Sequence, residues 1–180
     1  MSIFQKKGIQ TLTFSALALA LAYVLSFVKL FSMPMGGSVT LLSMFFVCLI
    51  GYWFGLKVGL VAAVAYGLLQ LITNPYVVSI PQLLTDYIFA FGALGLSGLF
   101  HGKKNGLVWG YLVGVAGRFF FCFLSGVIFF AMYAPEGMNA ALYSALYNGG
   151  YIGAEAIITL AILSLPPVTM ALGRIQRMIA

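Results

Sequence analysis

Six apolar runs, parted only by short polar or basic breaks, fill most of this sequence, and nothing else in it narrows the folding options so far. They cover roughly residues 9–28, 39–55, 57–73, 81–100, 107–132 and 141–172. Each is long enough to cross a hydrocarbon core of about 30 Å at about 1.5 Å per residue. Only 7% of the 180 residues are charged and 63% are hydrophobic, against about 25% charged in a soluble domain. So few charges cannot coat a globule. The period within the runs is helical, unlike the ten-residue alternation of an outer-membrane barrel. The expected fold is an all-α integral membrane protein of six transmembrane helices, forming a single domain over residues 1–180. The second and third runs abut at Gly55-Leu56-Lys57, which calls for a tight turn. The last run is expected to tilt or to end near Pro166-Pro167, because paired prolines break a helix.

The basic residues sit at the ends of these runs. Lys6 and Lys7 precede the first, and Lys57 lies between the second and third. His101, Lys103 and Lys104 lie between the fourth and fifth, and Arg174 and Arg177 follow the sixth. With six spans all four places share one side. The opposite loops, Lys29–Ser38, Asn74–Ile80 and Tyr133–Ala140, carry only Lys29 and Glu136. The positive-inside rule then places both termini in the cytoplasm. On this reading the net charge of +6 sets topology and is no signal for nucleic acid. No cleavable signal peptide is expected, because the run after Lys6-Lys7 is long enough to span.

Several function classes lose support. Cys48 and Cys122 lie in spans without metal-type spacing, so neither a disulfide nor a metal is expected. No GxxxxGK[ST] motif is present, so the chain is not expected to hydrolyse nucleotide by itself. Its one histidine, His101, stands at the cytoplasmic edge without an acid cluster. With no nucleophile, base and orienting group in view, an enzyme is the weakest reading. No cofactor is expected.

Four polar residues inside the spans are costly to keep: Asp86, Arg118, Asn148 and Glu155. An ionisable group at bilayer depth costs about 2.5–3.5 kcal/mol on insertion scales and marks a functional site by default. The structural alternative pairs Arg118 with Asp86 or Glu155 and makes Asn148 an interhelical hydrogen bond. The functional alternative rests on the aromatic residues. Tyr76, Tyr87, Phe130, Tyr133, Tyr143, Tyr147 and Tyr151 all fall toward the outer half, which an interfacial belt would also explain. A carboxylate among aromatic faces attracts a cation or stacks a heteroaromatic ring. Asn148 offers a donor and an acceptor. The expected ligand is a small, flat, cationic heteroaromatic taken from outside. In the first span Ala16 and Ala20 lie one turn apart, as do Ala18 and Ala22. Such stripes let another helix approach closely, within this chain or from a separate subunit.

Several blocks in order resemble one family along nearly the whole chain. They are Met33-Pro34-Met35-Gly36-Gly37-Ser38-Val39-Thr40, Phe54-Gly55-Leu56-Lys57-Val58-Gly59-Leu60 and Gln82-Leu83-Leu84-Thr85-Asp86-Tyr87-Ile88-Phe89-Ala90-Phe91. They continue with Ser125-Gly126-Val127-Ile128-Phe129-Phe130, Ala134-Pro135-Glu136-Gly137 and Tyr143-Ser144-Ala145-Leu146-Tyr147-Asn148. The family is the thiamine-specific substrate-binding (S) components of energy-coupling factor transporters, the ThiT/YuaJ family. The resemblance implies a six-helix subunit of the bacterial plasma membrane that captures thiamine (vitamin B1) from outside. It implies docking through Ala16 and Ala20 on a transmembrane coupling subunit carrying two cytoplasmic ATPases, and delivery inward by toppling. The implied substrate-binding residues are Asp86, Tyr87, Tyr76, Tyr143, Asn148, Phe130 and Cys122, with Tyr147 added from the outer aromatic set and Glu155 from its place in the span.

The chain departs from the family pattern in places. Cys122 stands where the family often has His, and Phe130 where some members have Trp. Thr40-Leu41 is neutral where some have Glu, and Glu155 is an acid foreign to the pattern. These departures keep a thiamine precursor, or a related pyrimidine or thiazole, as the alternative ligand. A self-sufficient proton-coupled transporter using Asp86, Glu155 and Arg118 is the alternative mechanism, although six spans without an inverted repeat argue against it.

Overall fold

The computed structural model describes residues 3–179. Helix α1 (Ile3–Ser26) leads into an antiparallel hairpin of β1 (Lys29–Ser32) and β2 (Ser38–Thr40), with Phe31 opposite Val39. Then follow α2 (Ser43–Phe54), α3 (Leu56–Thr73), α4 (Ile80–Phe100), α5 (Gly106–Phe129), α6 (Ala140–Leu163) and α7 (Pro166–Ile179). Five of these helices, α1, α3, α4, α5 and α6, are long and apolar enough to span a membrane.

The second apolar run does not form a full span. Residues 38–40 pair with β1, and α2 has 12 residues, about 18 Å at 1.5 Å per residue. The last run does not continue to residue 172 as one helix. It stops at Leu163, and Pro166-Pro167 open α7, where the missing proline N–H costs nothing. The fifth ends at Phe129 rather than 132.

Between α2, α3 and α4 the backbones nearly touch. A Cβ on Gly59 would lie 2.6 Å from the Gly51 Cα, and one on Gly95 2.6 Å from the Leu60 backbone. The core gathers Val47, Cys48, Ala63, Tyr66, Leu94, Tyr111 and Ile152. Its α6 contribution follows one face, with Ser144, Asn148, Tyr151, Glu155 and Thr159 buried, the spacing of a 3.6-residue period.

Two ends can be told apart by their contacts. At one, Gln10 Nε2 donates to the Met178 carbonyl, Tyr52 OH to Gln176 Oε1, and the Tyr52 carbonyl meets His101 Nδ1. This is the basic end, with Lys7, Lys57, Lys103, Lys104, Arg174 and Arg177 in or next to the same segments. At the other, the hairpin meets α6, and Lys29 Nζ reaches Asn74 Oδ1 at 3.4 Å.

Candidate functional site

A cavity of about 320 Å³ lies at the hairpin end, walled by the hairpin, α3, α4, α5 and α6. Small-molecule pockets typically hold roughly 300–1,000 Å³. Eight of the nine expected binding residues line it: Tyr76, Asp86, Tyr87, Cys122, Phe130, Tyr143, Tyr147 and Asn148.

Asp86 is placed by a break in helical regularity. Residues Leu84–Phe89 form a wide π turn, a feature that recurs at functional sites because it re-aims side chains. One turn earlier, the buried Gln82 donates from Nε2 to Asp86 Oδ2 at 2.6 Å and to the Tyr76 carbonyl at 3.1 Å, and its Oε1 accepts from Val78 N–H. One carboxylate oxygen is therefore committed and the other is left to the cavity. Gln82 was not singled out from sequence. Its signal was the i, i+4 spacing to Asp86, which puts both on one helix face. Tyr87 contributes its ring, while its hydroxyl donates to the Asn74 carbonyl at 2.9 Å and accepts from Tyr76 N–H at 2.8 Å. It thus fixes the α3–α4 loop that presents Tyr76.

The rings form a partial cage. Tyr76 and Phe130 stand 5.9 Å apart with planes tilted by 33°. Tyr143 and Tyr147 lie 6.0 Å apart, and Tyr147 meets Tyr151 edge-on at 5.8 Å. The neighbouring Tyr133 hydroxyl raises the Tyr76 phenol above its ordinary range.

Asn148 is more committed than its sequence suggests. Its Nδ2 lies within hydrogen-bonding reach of the Cys122 carbonyl (3.2 Å), the Ser144 carbonyl (3.0 Å) and Ser144 Oγ (3.2 Å), and its Oδ1 accepts from Tyr151 OH at 3.1 Å. It braces α5 against α6 while lining the cavity.

Glu155 departs from expectation. It does not line the cavity. Its Oε2 accepts from Thr40 N–H (3.0 Å) and Thr40 Oγ1 (2.6 Å), and its Oε1 from Ser43 Oγ (3.2 Å) and Met44 N–H (3.0 Å). The reason is local. Helix α2 starts after Leu42, whose side chain cannot cap the free amides of a helix start. A carboxylate from α6 takes that role.

Arg118 forms no ion pair among the described residues. Its guanidinium carbon sits 4.2 Å over the Phe91 ring, its Nε has no hydrogen-bond partner, and it lines the cavity. The alternative pairing with Asp86 or Glu155 is not made among the described residues, and Glu155 already has both oxygens engaged at the α2 start. Ser125 also lines the cavity with an unpartnered Oγ.

The two alanine stripes of α1 separate. Ala18 and Ala22 are buried, packed within the protein, whereas Ala16 and Ala20 are exposed beside Leu12, Leu17 and Leu21.

Comparison with known proteins agrees across the chain. The family described as thiamine transporter protein (Thia_YuaJ) matches residues 12–172. The thiamine transporter ThiT of Bacillus subtilis (strain 168) is 34% identical over 177 residues, covering 89% of this chain and 92% of that one. A ThiT from Lacticaseibacillus paracasei is 30% identical over 94 residues, 45% of this chain and 47% of its own. The crystal structure of ThiT from Listeria monocytogenes superposes with a TM-score of 0.72 at 28% identity, covering 89% of this chain and 97% of that one.

Proposed function

This chain belongs to the thiamine transporter protein family, and from that premise we propose that it is the thiamine-capturing S component of an energy-coupling factor importer. It acts as a multi-pass protein of the bacterial plasma membrane with both termini inside, and as a transport subunit rather than an enzyme. The observation that carries the reading is one cavity in which a carboxylate, held on one oxygen by Gln82, faces a set of aromatic rings. Thiamine is a cation with an amino-pyrimidine. The free Asp86 oxygen receives its charge or amino group, a charge-assisted bond about twice as strong as a neutral one. Tyr76, Phe130, Tyr87, Tyr143 and Tyr147 stack on its rings, each contact contributing about 0.5–2 kcal/mol. Cys122 lines the wall as a weak hydrogen-bonding partner.

Transport needs partners. The exposed Ala16 and Ala20 face supports docking on a transmembrane coupling subunit, to which two cytoplasmic ATPases supply energy. A self-driven proton transporter finds less support, because Glu155 is locked at the α2 start rather than facing the cavity.

Titration of the purified protein by calorimetry tests the reading. Neither Trp53 nor Trp109 lines the cavity, so heat is a better signal than tryptophan fluorescence. Saturable, tight binding of thiamine is expected. Asp86→Asn keeps an oxygen for Gln82 but loses the charge. It is expected to weaken binding by about 1.5–3 kcal/mol. Binding of only the pyrimidine or the thiazole half would move the reading to a related heterocycle. Unchanged affinity with lowered stability would make Asp86 structural.

A further inference from the structure

We propose that Glu155 is a positioning residue for ligand capture, holding the hairpin wall of the cavity from outside it. This rests on reading the cavity as the thiamine site. The segment it holds is strained and without a cap of its own. Leu42 has φ +61° in the left-handed region and Met35, in the hairpin turn, has φ +60°. A bulky residue in that region costs of order 1–3 kcal/mol and persists only when its surroundings over-determine it.

The surroundings that do so come from one stripe of α6. Tyr147, Tyr151 and Glu155 follow at intervals of four. The Tyr147 hydroxyl accepts from Gly37 N–H at 3.0 Å and donates to the Pro34 carbonyl. Tyr151 packs so closely on Gly37 that a Cβ there would lie 3.0 Å from its ring. Glu155 closes the stripe with four bonds to residues 40, 43 and 44, on both sides of Leu42. Thr40 and Ser43, two of its three partners, line the cavity, while Glu155 itself does not.

The carboxylate is buried at 3% exposure with no cation paired to it among the described residues. Four donors and the positive end of α2 offset that cost. It has no oxygen left for a ligand. Its influence on binding runs through where it puts Thr40 and Ser43.

The test is Glu155→Gln, of nearly the same shape. Its amide sets two N–H donors against the Thr40 or Met44 amide, so the clamp opens on one side. Two readouts are taken on the purified full chain: amide hydrogen exchange over residues 36–44 without ligand, and thiamine affinity at a temperature where the variant is fully folded. Faster exchange at Thr40 and Met44, together with roughly tenfold weaker binding, is expected, since displacements near 1 Å cost that much or more. Glu155→Asp keeps the charge but draws it back by one methylene. It should fall between wild type and Glu155→Gln, and it serves as the measurement if Glu155→Gln does not fold. Faster exchange with unchanged affinity would make Glu155 merely structural and overturn the proposal. So would unchanged exchange. Should the wild type itself not bind thiamine, the functional reading fails by that result, and the exchange rates still decide whether Glu155 holds the segment.

Discussion

Gly67 in α3 offers the sharpest check that backbone geometry places Asp86. A Cβ built there would lie 1.9 Å from the Tyr87 carbonyl oxygen and 3.0 Å from the Phe91 Cβ. Carbon and oxygen in contact need roughly 3.3 Å. The obstructing atom is backbone, inside the π turn, and cannot rotate away. Gly67→Ala therefore forces α3 and α4 apart by about 1.4 Å, or flattens the turn. Overpacking of this kind costs about 1–3 kcal/mol, and the better helix propensity of alanine returns up to about 1 kcal/mol. A net loss of about 1–2 kcal/mol in stability is expected. Binding should suffer more, because Asp86 and Tyr87 ride on the displaced turn. Misaligning one charge-assisted bond costs about 1.5–3 kcal/mol, or roughly tenfold to 150-fold in Kd. Calorimetric titration with thiamine, alongside thermal unfolding, measures both. Gly150→Ala is the control, since a Cβ there meets nothing within 4 Å. A folded Gly67→Ala protein with a Kd within threefold of wild type would refute the claim that the turn sets the carboxylate.

Two further outcomes are expected. Asn148→Ala strips partners from the Tyr151 hydroxyl and two carbonyl oxygens; a loss of about 1–3 kcal/mol in stability follows, read by chemical or thermal unfolding, with a drop in thiamine affinity. Ala20→Leu places bulk on the open face of α1, so thiamine binding by the isolated chain should stay unchanged while uptake in vesicles containing the coupling module falls; loss of both would place that face inside this chain's own packing.

Asp86 and Tyr87 could be read from sequence because an acid stands out in an apolar run, and the rings near it follow from helix order. The length of α2 could not. Residues 38–40 are as compatible with a strand as with a helix, and what decides is pairing with β1, a contact made across a turn. Glu155 shows the same limit from the other side. As an acid at bilayer depth it reads as a ligand contact, because nothing local announces that a helix elsewhere begins on a leucine in left-handed conformation. Arg118 is legible as costly but not as unpaired, since the engagement of Glu155 depends on the start of α2, which lies far away in sequence.

The shortness of α2 also bears on the membrane itself. A helix of about 18 Å covers little more than half of a hydrocarbon layer of about 30 Å. If α2 crosses the membrane, the hairpin makes up the difference, and its paired strands satisfy backbone groups that acyl-chain depth would leave costly. The segment leading into and through β1 is exposed throughout: Phe27, Val28, Leu30 and Phe31 are apolar, and Lys29 and Ser32 stand among them. Part of the hairpin walls the cavity. Thinning or thickening the surrounding bilayer would then press on the same element that walls the cavity. Thiamine affinities compared in micelles and in bilayers of different acyl-chain length test whether that wall feels the membrane.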